Sequence, residues 1–336
     1  MTKQITTGIL SYGMSGRVFH APFIHTHPEF QLYAVVERSE KKAAERYPDI
    51  ISYNSIEQMF DDPIIELIIV NTPNYLHYEH TKLALEAGKH VLVEKPFAAT
   101  PEQAKELFEL GKKNSCKVMV YQNRRWDSDF QTVKKIVQDG VLGNLIECHF
   151  RFDRYRKEIS VKKFKEEPFA ASGLSFDLGP HLLDQVISLF GKPVSWSKTT
   201  GTYRPDSKVD DYLHVHLQFP QGANVFVTAS LQTVKPLPSF VLHGTKGTFT
   251  KQRTDVQEEQ LEKAILPTDW EYGIEPDGSE GVLSVMTDEG IETQHFAALK
   301  GNYVRLFDAV YECIRFNAEY PIKEDEIIVQ LEILAS

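Results

Sequence analysis

His90–Phe97, HVLVEKPF, reads as a short apolar strand that runs straight into Glu94, Lys95 and Pro96. A continuous apolar run of this length suits a strand buried on both faces of a parallel sheet, and the proline stops it. A lysine is thereby carried to the carboxyl end of a strand, where open α/β sheets bind their ligands. Taken alone, Lys95 is either a candidate for chemistry or a solvated turn lysine. The flanking sequence separates the two.

Upstream, Ile64 to Val70 is a second continuous apolar run, followed by Asn71-Thr72-Pro73-Asn74 and a helix from about His77 to Ala87 that Gly88 closes. Earlier still come a short helix, Ser55 to Phe60, behind a serine cap, a helix at Lys41 to Tyr47, and strands at Gln31 to Val36 and Gln4 to Ser11. Downstream, Thr100-Pro101-Glu102-Gln103 is a capping box with proline at the first helical position; its helix runs to about Asn114, and Lys117 to Tyr121 is a sixth strand. Six strands alternating with helices predict a doubly wound parallel sheet over residues 1–122.

The first strand ends in Ser11-Tyr12-Gly13-Met14-Ser15-Gly16, a G-x-G-x-x-G turn with serine in place of its first glycine. Such glycines allow a tight turn and let backbone N–H groups approach a pyrophosphate. Read by itself, the stretch is either a dinucleotide site or an ordinary strand-to-helix turn. About 20 residues further on, Glu37 stands where a carboxylate can hold the adenosine ribose 2′-OH, which favours NAD. Arg38 beside it could stack on adenine or pair with a 2′-phosphate. NAD or NADP are both open, with a slight lean to NAD.

Beyond Gln122 the pattern changes. A helix covers about Asp129 to Gln138, and then polar and apolar residues alternate in Leu145 to Tyr155, Tyr212 to Phe219, Asn224 to Leu231, Phe240 to Thr250 and Val282 to Met286. Period-two alternation is the mark of half-buried antiparallel strands, so residues 123–336 are expected to form an α+β domain with a large open antiparallel sheet. Within it, Asp177 and His181 are four residues apart. On a helix starting near Leu178 they would lie one turn apart, as a base and its orienting carboxylate require; the alternative is a cap residue and a buried histidine.

With 42% hydrophobic and 25% charged residues, the 336-residue chain is of ordinary globular composition and long enough for about two domains. Its formal charge of −10 argues against a nucleic-acid partner. No apolar run approaches the roughly 18 residues that span a bilayer, and the N-terminus leads into a strand rather than a signal peptide. The three scattered cysteines fit a reducing cytoplasm and form no zinc motif.

Five stretches together carry a resemblance: the turn ending in Gly16-Arg17-Val18-Phe19-His20-Ala21-Pro22, Thr72-Pro73 with His77, Glu94-Lys95-Pro96, Asn123-Arg124-Arg125-Trp126-Asp127, and Asp177-Leu178-Gly179-Pro180-His181 with Asp184. In this order, and over nearly the whole chain, they resemble the Gfo/Idh/MocA oxidoreductases, nearest the branch with NADP-dependent scyllo-inositol dehydrogenases. The resemblance implies a Rossmann domain, hydride transfer to or from a sugar or cyclic polyol, and a homodimer or homotetramer formed through the C-terminal sheet. It makes Lys95, Asp177 and His181 the catalytic residues. Arg125 and Trp126 fall with them on the substrate, and Ser11 to Gly16, Glu37, Arg38, Thr72, Pro73, Asn74, His77, Glu94 and Lys95 on the cofactor. Ser11 and Glu37 depart from the family pattern. The family also leads one to expect a further helical stretch and strand after the helix at Glu324 to Leu334.

In the implied mechanism His181 takes the hydroxyl proton, Asp177 orients it, and Lys95 stabilises the reacting oxygen. The alternatives are a non-catalytic dinucleotide or sugar sensor of the same fold, and a reductase of another carbonyl or imine. The presence of all three catalytic residues favours an enzyme.

Overall fold

Apolar runs and caps organise the first half. The computed structural model describes residues 3–336, the side chains of Lys163 and Phe164 excepted. Six strands, β1 (Ile5–Ile9), β2 (Phe30–Val36), β3 (Ile51–Tyr53), β4 (Leu67–Val70), β5 (His90–Glu94) and β6 (Val118–Tyr121), pair in parallel in the order β3-β2-β1-β4-β5-β6. The order reverses between β1 and β4, the switch point at which doubly wound sheets bind nucleotides. Ile68, Ile69, Val91, Leu92 and Val93 are fully buried, each stabilising the sheet by roughly 1.5–3 kcal/mol. The Thr100 cap forms as read, its Oγ1 accepting from Gln103 N–H at 3.3 Å, while Gln103 Oε1 reaches one residue further back than in a capping box and accepts from Ala99 N–H at 3.1 Å.

The chain divides into two compact units. The Rossmann unit holds the chain up to Asn123, but also Gln257–Tyr272 and Asn302–Glu324, stretches that the sequence assigned to the second domain. The helix Val304–Phe316 explains the return: its buried Phe307 stacks on Phe23 at 5.0 Å and meets Phe30 edge-on at 6.3 Å. Arg315, in its last turn, grips Glu66 at 2.8 and 3.2 Å. Here the tertiary partners of an amphipathic helix lie some 280 residues away in sequence, beyond any local signal.

The second unit comprises Arg124–Val256, Gly273–Gly301 and Asp325–Ser336. Its sheet has eight strands, β7 (Leu145–Asp153), β8 (Ser195–Gly201), β9 (Tyr212–Gln218), β10 (Asn224–Ser230), β11 (Phe240–Gly244), β12 (Gly247–Lys251), β13 (Gly281–Thr287) and β14 (Gly290–Phe296), in the order β14-β13-β12-β11-β7-β10-β9-β8. All neighbours are antiparallel except the central pair β7 and β10, so the sheet is mixed rather than purely antiparallel. β8 and β14, absent from the sequence reading, are the two edges; both are polar and mostly exposed, and such strands show little apolar alternation. One face buries Cys148, Phe150, Leu213, Val215, Leu217, Val225 and Val227 with Leu182, Leu183 and Val186 of the helix Gly179–Phe190. On the opposite side of β7, β9 and β10, His149, His214 and His216 surround Phe226, with His216 stacked on it at 4.6 Å. Among the described residues no helix is long and apolar enough to cross a membrane, and no group of three or more His, Cys, Asp or Glu could hold a metal ion.

Candidate functional site

On the Rossmann side the glycine turn follows β1 at the switch point. Asn71, just past β4, donates its Nδ2–H to Ser11 O at 2.8 Å, tying the two strand ends together. A Cβ on Gly16 would lie 2.0 Å from Ser11 O, so only glycine lets the helical segment Gly16–His20 approach the strand end this closely. Ser11, the departure from the motif, receives Gly13 N–H on its Oγ at 3.4 Å, so the turn is kept. The Oδ1 of Asn71 is a buried acceptor with no hydrogen-bond partner among the described residues. A cradle closed to any Cβ at Gly16 fits the pyrophosphate of a dinucleotide; Tyr12, Gly13, Met14 and Ser15 form its rim. When bound, that cofactor supplies the hydride acceptor or donor.

Glu94 links this turn to Lys95. Ser15 Oγ donates to Glu94 Oε1 at 2.8 Å, and His20 Nε2, fully buried, lies 2.9 Å from the same oxygen. Burial alone would raise the Glu94 carboxyl; the hydrogen bond and charge of His20, with Lys95 and Ser15, hold it below the ordinary carboxylate value. The residue before Lys95 is therefore an anchor of the main chain.

His77 and Glu37 are anchors of the same kind, where the sequence had them face the cofactor. His77 is 1% exposed, and its ring nitrogens sit 2.7 Å from Pro96 O and 2.7 Å from Thr72 O, which fixes the chain on either side of the crevice. Burial lowers its pKa although both carbonyls favour the proton. Thr72 Oγ1 also pairs with His80 Nδ1 at 2.9 Å, and Pro73 leads into the short turn Asn74–Leu76. Glu37 is 8% exposed; Oε1 accepts the N–H groups of Lys42 and Ala43 at 2.8 and 3.1 Å, and Oε2 accepts from Ser52 Oγ at 2.5 Å. Its carboxylate caps a helix and binds β3, and so is already engaged at the position where the sequence places the ribose hydroxyl. Arg38, next to it, is exposed.

In the sheet unit, Asp177 ends the short helix Leu174–Asp177 and His181 sits in the first turn of Gly179–Phe190, so the four-residue spacing falls across the junction at Leu178. His181 is 5% exposed. Both oxygens of Asp177 accept from Lys165 Nζ, at 2.8 and 2.9 Å. Arg125 and Trp126 lie in the turn Asn123–Trp126. Read as a substrate contact, Arg125 has Nε and Nη2 on buried Asp184 at 2.7 and 2.8 Å and Nη2 also on Glu326 at 2.5 Å. It is a strut between three helical segments of this unit.

Asp177 and Leu178 also line a cavity of about 360 Å³ within the same unit, the size range of small-ligand sites. Lys165, Arg154, Arg156 and Lys162 line it too, and the motif reading passed over all four. Their signal was charge density: residues 151–165 hold seven lysines and arginines against two acids, in a chain of net charge −10.

Comparison with known proteins identifies the family. The oxidoreductase family with an NAD-binding Rossmann fold, GFO/IDH/MocA, matches residues 5–122, and the family's C-terminal domain matches residues 130–250. An uncharacterised oxidoreductase of Schizosaccharomyces pombe is 37% identical over 98% of this chain and 95% of its own length. The NADP-dependent scyllo-inositol 2-dehydrogenase of Bacillus subtilis is 32% identical over 98% and 92%. The crystal structure of an oxidoreductase from Bacillus cereus superposes with a TM-score of 0.90 at 31% identity, over 99% of this chain and 95% of that one. With both of its units matched and its relatives covered almost end to end, the chain belongs to the Gfo/Idh/MocA family of oxidoreductases.

Proposed function

We propose that this oxidoreductase is an NADP-dependent dehydrogenase acting on a secondary alcohol or ketone of a sugar or cyclic polyol. The observation that carries the reading is the Ser15–Glu94–His20 cluster, which binds the strand end bearing Lys95 to the glycine turn. A lysine anchored this way is suited to donate a hydrogen bond to the reacting oxygen and to stabilise alkoxide character. His181 receives the hydroxyl proton as the hydride departs, and Asp177 stabilises the imidazolium. The inward-turned Glu37 and exposed Arg38 support NADP, since no carboxylate opposes the 2′-phosphate and a guanidinium stands by to pair with it. The Bacillus subtilis relative, whose name records scyllo-inositol and NADP, agrees in both respects. A second copy docks in this reading through the His149, His214, His216 and Phe226 face of the sheet.

The test is the absorbance of reduced nicotinamide with scyllo-inositol, myo-inositol and aldoses, offered NAD and NADP separately. His181→Ala should lose about 10²- to 10⁴-fold in turnover; full turnover in that variant would remove His181 from the mechanism. Arg38→Ala should weaken NADP, and not NAD, by about tenfold.

A further inference from the structure

The cavity beside Asp177 is charged in an uneven way. Of its lining acids, Glu166 is bound by buried Arg204 at 2.9 Å, Asp177 by Lys165 at 2.8 Å, and Asp210 accepts both the N–H and the Oγ–H of Ser175 at 2.7 Å. Those carboxylates are satisfied from within the unit. The rest of the charged lining is Glu158 against Arg154, Arg156 and Lys162.

The three cations differ in how they are held. Arg154 lies over the Phe152 ring at 4.5 Å, and Arg253 lies over the same ring at 4.5 Å, with Arg124 at 5.4 Å. The carboxylates of Asp127 and Asp255 stand among these three guanidiniums and offset part of their charge. Arg124 takes both oxygens of Asp255, at 2.6 and 3.1 Å, and so leaves that carboxylate 3.7 Å from Arg154. Arg156 and Lys162 are exposed, and their side-chain nitrogens have no hydrogen-bond or ion-pair partner among the described residues. A cavity large enough for a six-membered ring thus carries satisfied carboxylates, Asp177 among them, and an excess of cationic donors on its rim.

We propose that this cavity binds the anionic substituent of an acidic sugar or polyol, a carboxylate or a phosphate, through Arg156 and Lys162 with Arg154 on its wall. The inference rests on the reading of Asp177 and His181 as the substrate side of the enzyme and narrows its substrate to an acid. Arginine matches both oxyanions in a planar fork, and lysine adds a point charge. A neutral polyol brings no charge for Arg156 and Lys162 to pair with.

Binding is measured first, by titration calorimetry of the full chain at low ionic strength with glucose, glucuronate, gluconate and glucose 6-phosphate. At least one of the three acids should bind tighter than glucose, and weaken as salt is raised. Carboxylate and phosphate are told apart by which acid leads. The double substitution Arg156→Ala, Lys162→Ala, both at exposed positions, should weaken that acid about tenfold and leave glucose unchanged. Lys192→Ala, beyond the far end of the helix bearing His181, should leave both unchanged. Acids that bind no better than glucose, or an acid whose affinity survives the double substitution, would overturn the proposal. Cofactor reduction is then followed with the same compounds. If the acid binds through Arg156 and Lys162 but no nicotinamide is reduced, the cavity assignment stands and the dehydrogenase reading falls. If neutral polyols are oxidised and the double variant performs as well, the dehydrogenase stands and the acid cavity falls.

Discussion

Glu37, His77 and Glu94 of the Rossmann unit differ from Asp177 of the sheet unit in what stands beside them, although Arg125 of the sheet unit is as much a strut as they are. In the Rossmann unit, Glu37, His77 and Glu94 turn to their own surroundings: Glu37 caps a helix, His77 lies between two carbonyl oxygens, and Glu94 gathers Ser15 and His20. In the sheet unit, Asp177 lines a cavity shared with a cluster of lysines and arginines. A nucleotide is gripped by backbone, so the side chains there serve to place N–H and C=O groups. A small substrate is gripped by side chains, so those must be presented. Substitutions on the first side should act on stability and dinucleotide affinity for every substrate alike, and on the second side they should discriminate among substrates.

The largest effect on the first side is expected from Glu94→Ala. It leaves fully buried His20 and the Ser15 hydroxyl without their shared acceptor, at a cost of about 2–3 kcal/mol in stability read from urea unfolding, and dinucleotide affinity should weaken tenfold or more. An unchanged dinucleotide Kd would break the contrast, since the turn would then not depend on its anchor.

A smaller effect sharpens it through pH. Desolvation lowers His77, His80 and His90 of the Rossmann unit below the ordinary value of 6.5. Once pH falls below 6.5 the unfolded chain takes up protons that the folded unit refuses, so stability present above 6.5 is lost progressively on acidification, by about 1.4 kcal/mol for each tenfold loss of proton affinity on folding. His214 shares this direction in the sheet unit. The urea midpoint should fall between pH 7 and 5, and His80→Asn should flatten the slope without altering binding of the sugar. A level midpoint across that window would show that the buried histidines keep their ordinary affinity for protons.

The smallest effect is reserved for Glu37→Gln. As a lost cap it should lower stability by about 1 kcal/mol and leave the ratio of NAD to NADP affinity within about threefold. A collapse of NAD binding alone would mean that Glu37 reaches the ribose after all.

Much of the Rossmann unit was legible because its signals are local. The buried runs of β4 and β5, the Thr100 cap and the glycine turn each declare themselves within ten residues. The anchoring roles of Glu94 and His77 were not, because they depend on partners 79 and 19 residues away. At Glu37 the position matches a ribose-binding carboxylate, and nothing local in the sequence shows that the N–H groups of Lys42 and Ala43 also reach it. In the sheet unit the half-buried strands showed their period and the polar edges β8 and β14 did not. The four-residue step from Asp177 to His181 could be read; the Lys165 bridge, supplied by the short helix Lys163–Glu166 in a stretch without apolar pattern, could not.

The return of Val304–Phe316 to the Rossmann unit has a bearing on biosynthesis. The six parallel strands leave the ribosome well before the helix that seats Phe307 against Phe23 and Phe30, with about 200 residues separating Asn123 from the end of that last segment at Glu324. At about 5–20 residues per second the nascent half waits roughly 10 to 40 s with an aromatic surface uncovered. That interval is one in which a holdase chaperone would find a binding surface. A translation product ending at Asn123 would keep the uncovered surface for its whole life and would be expected to aggregate.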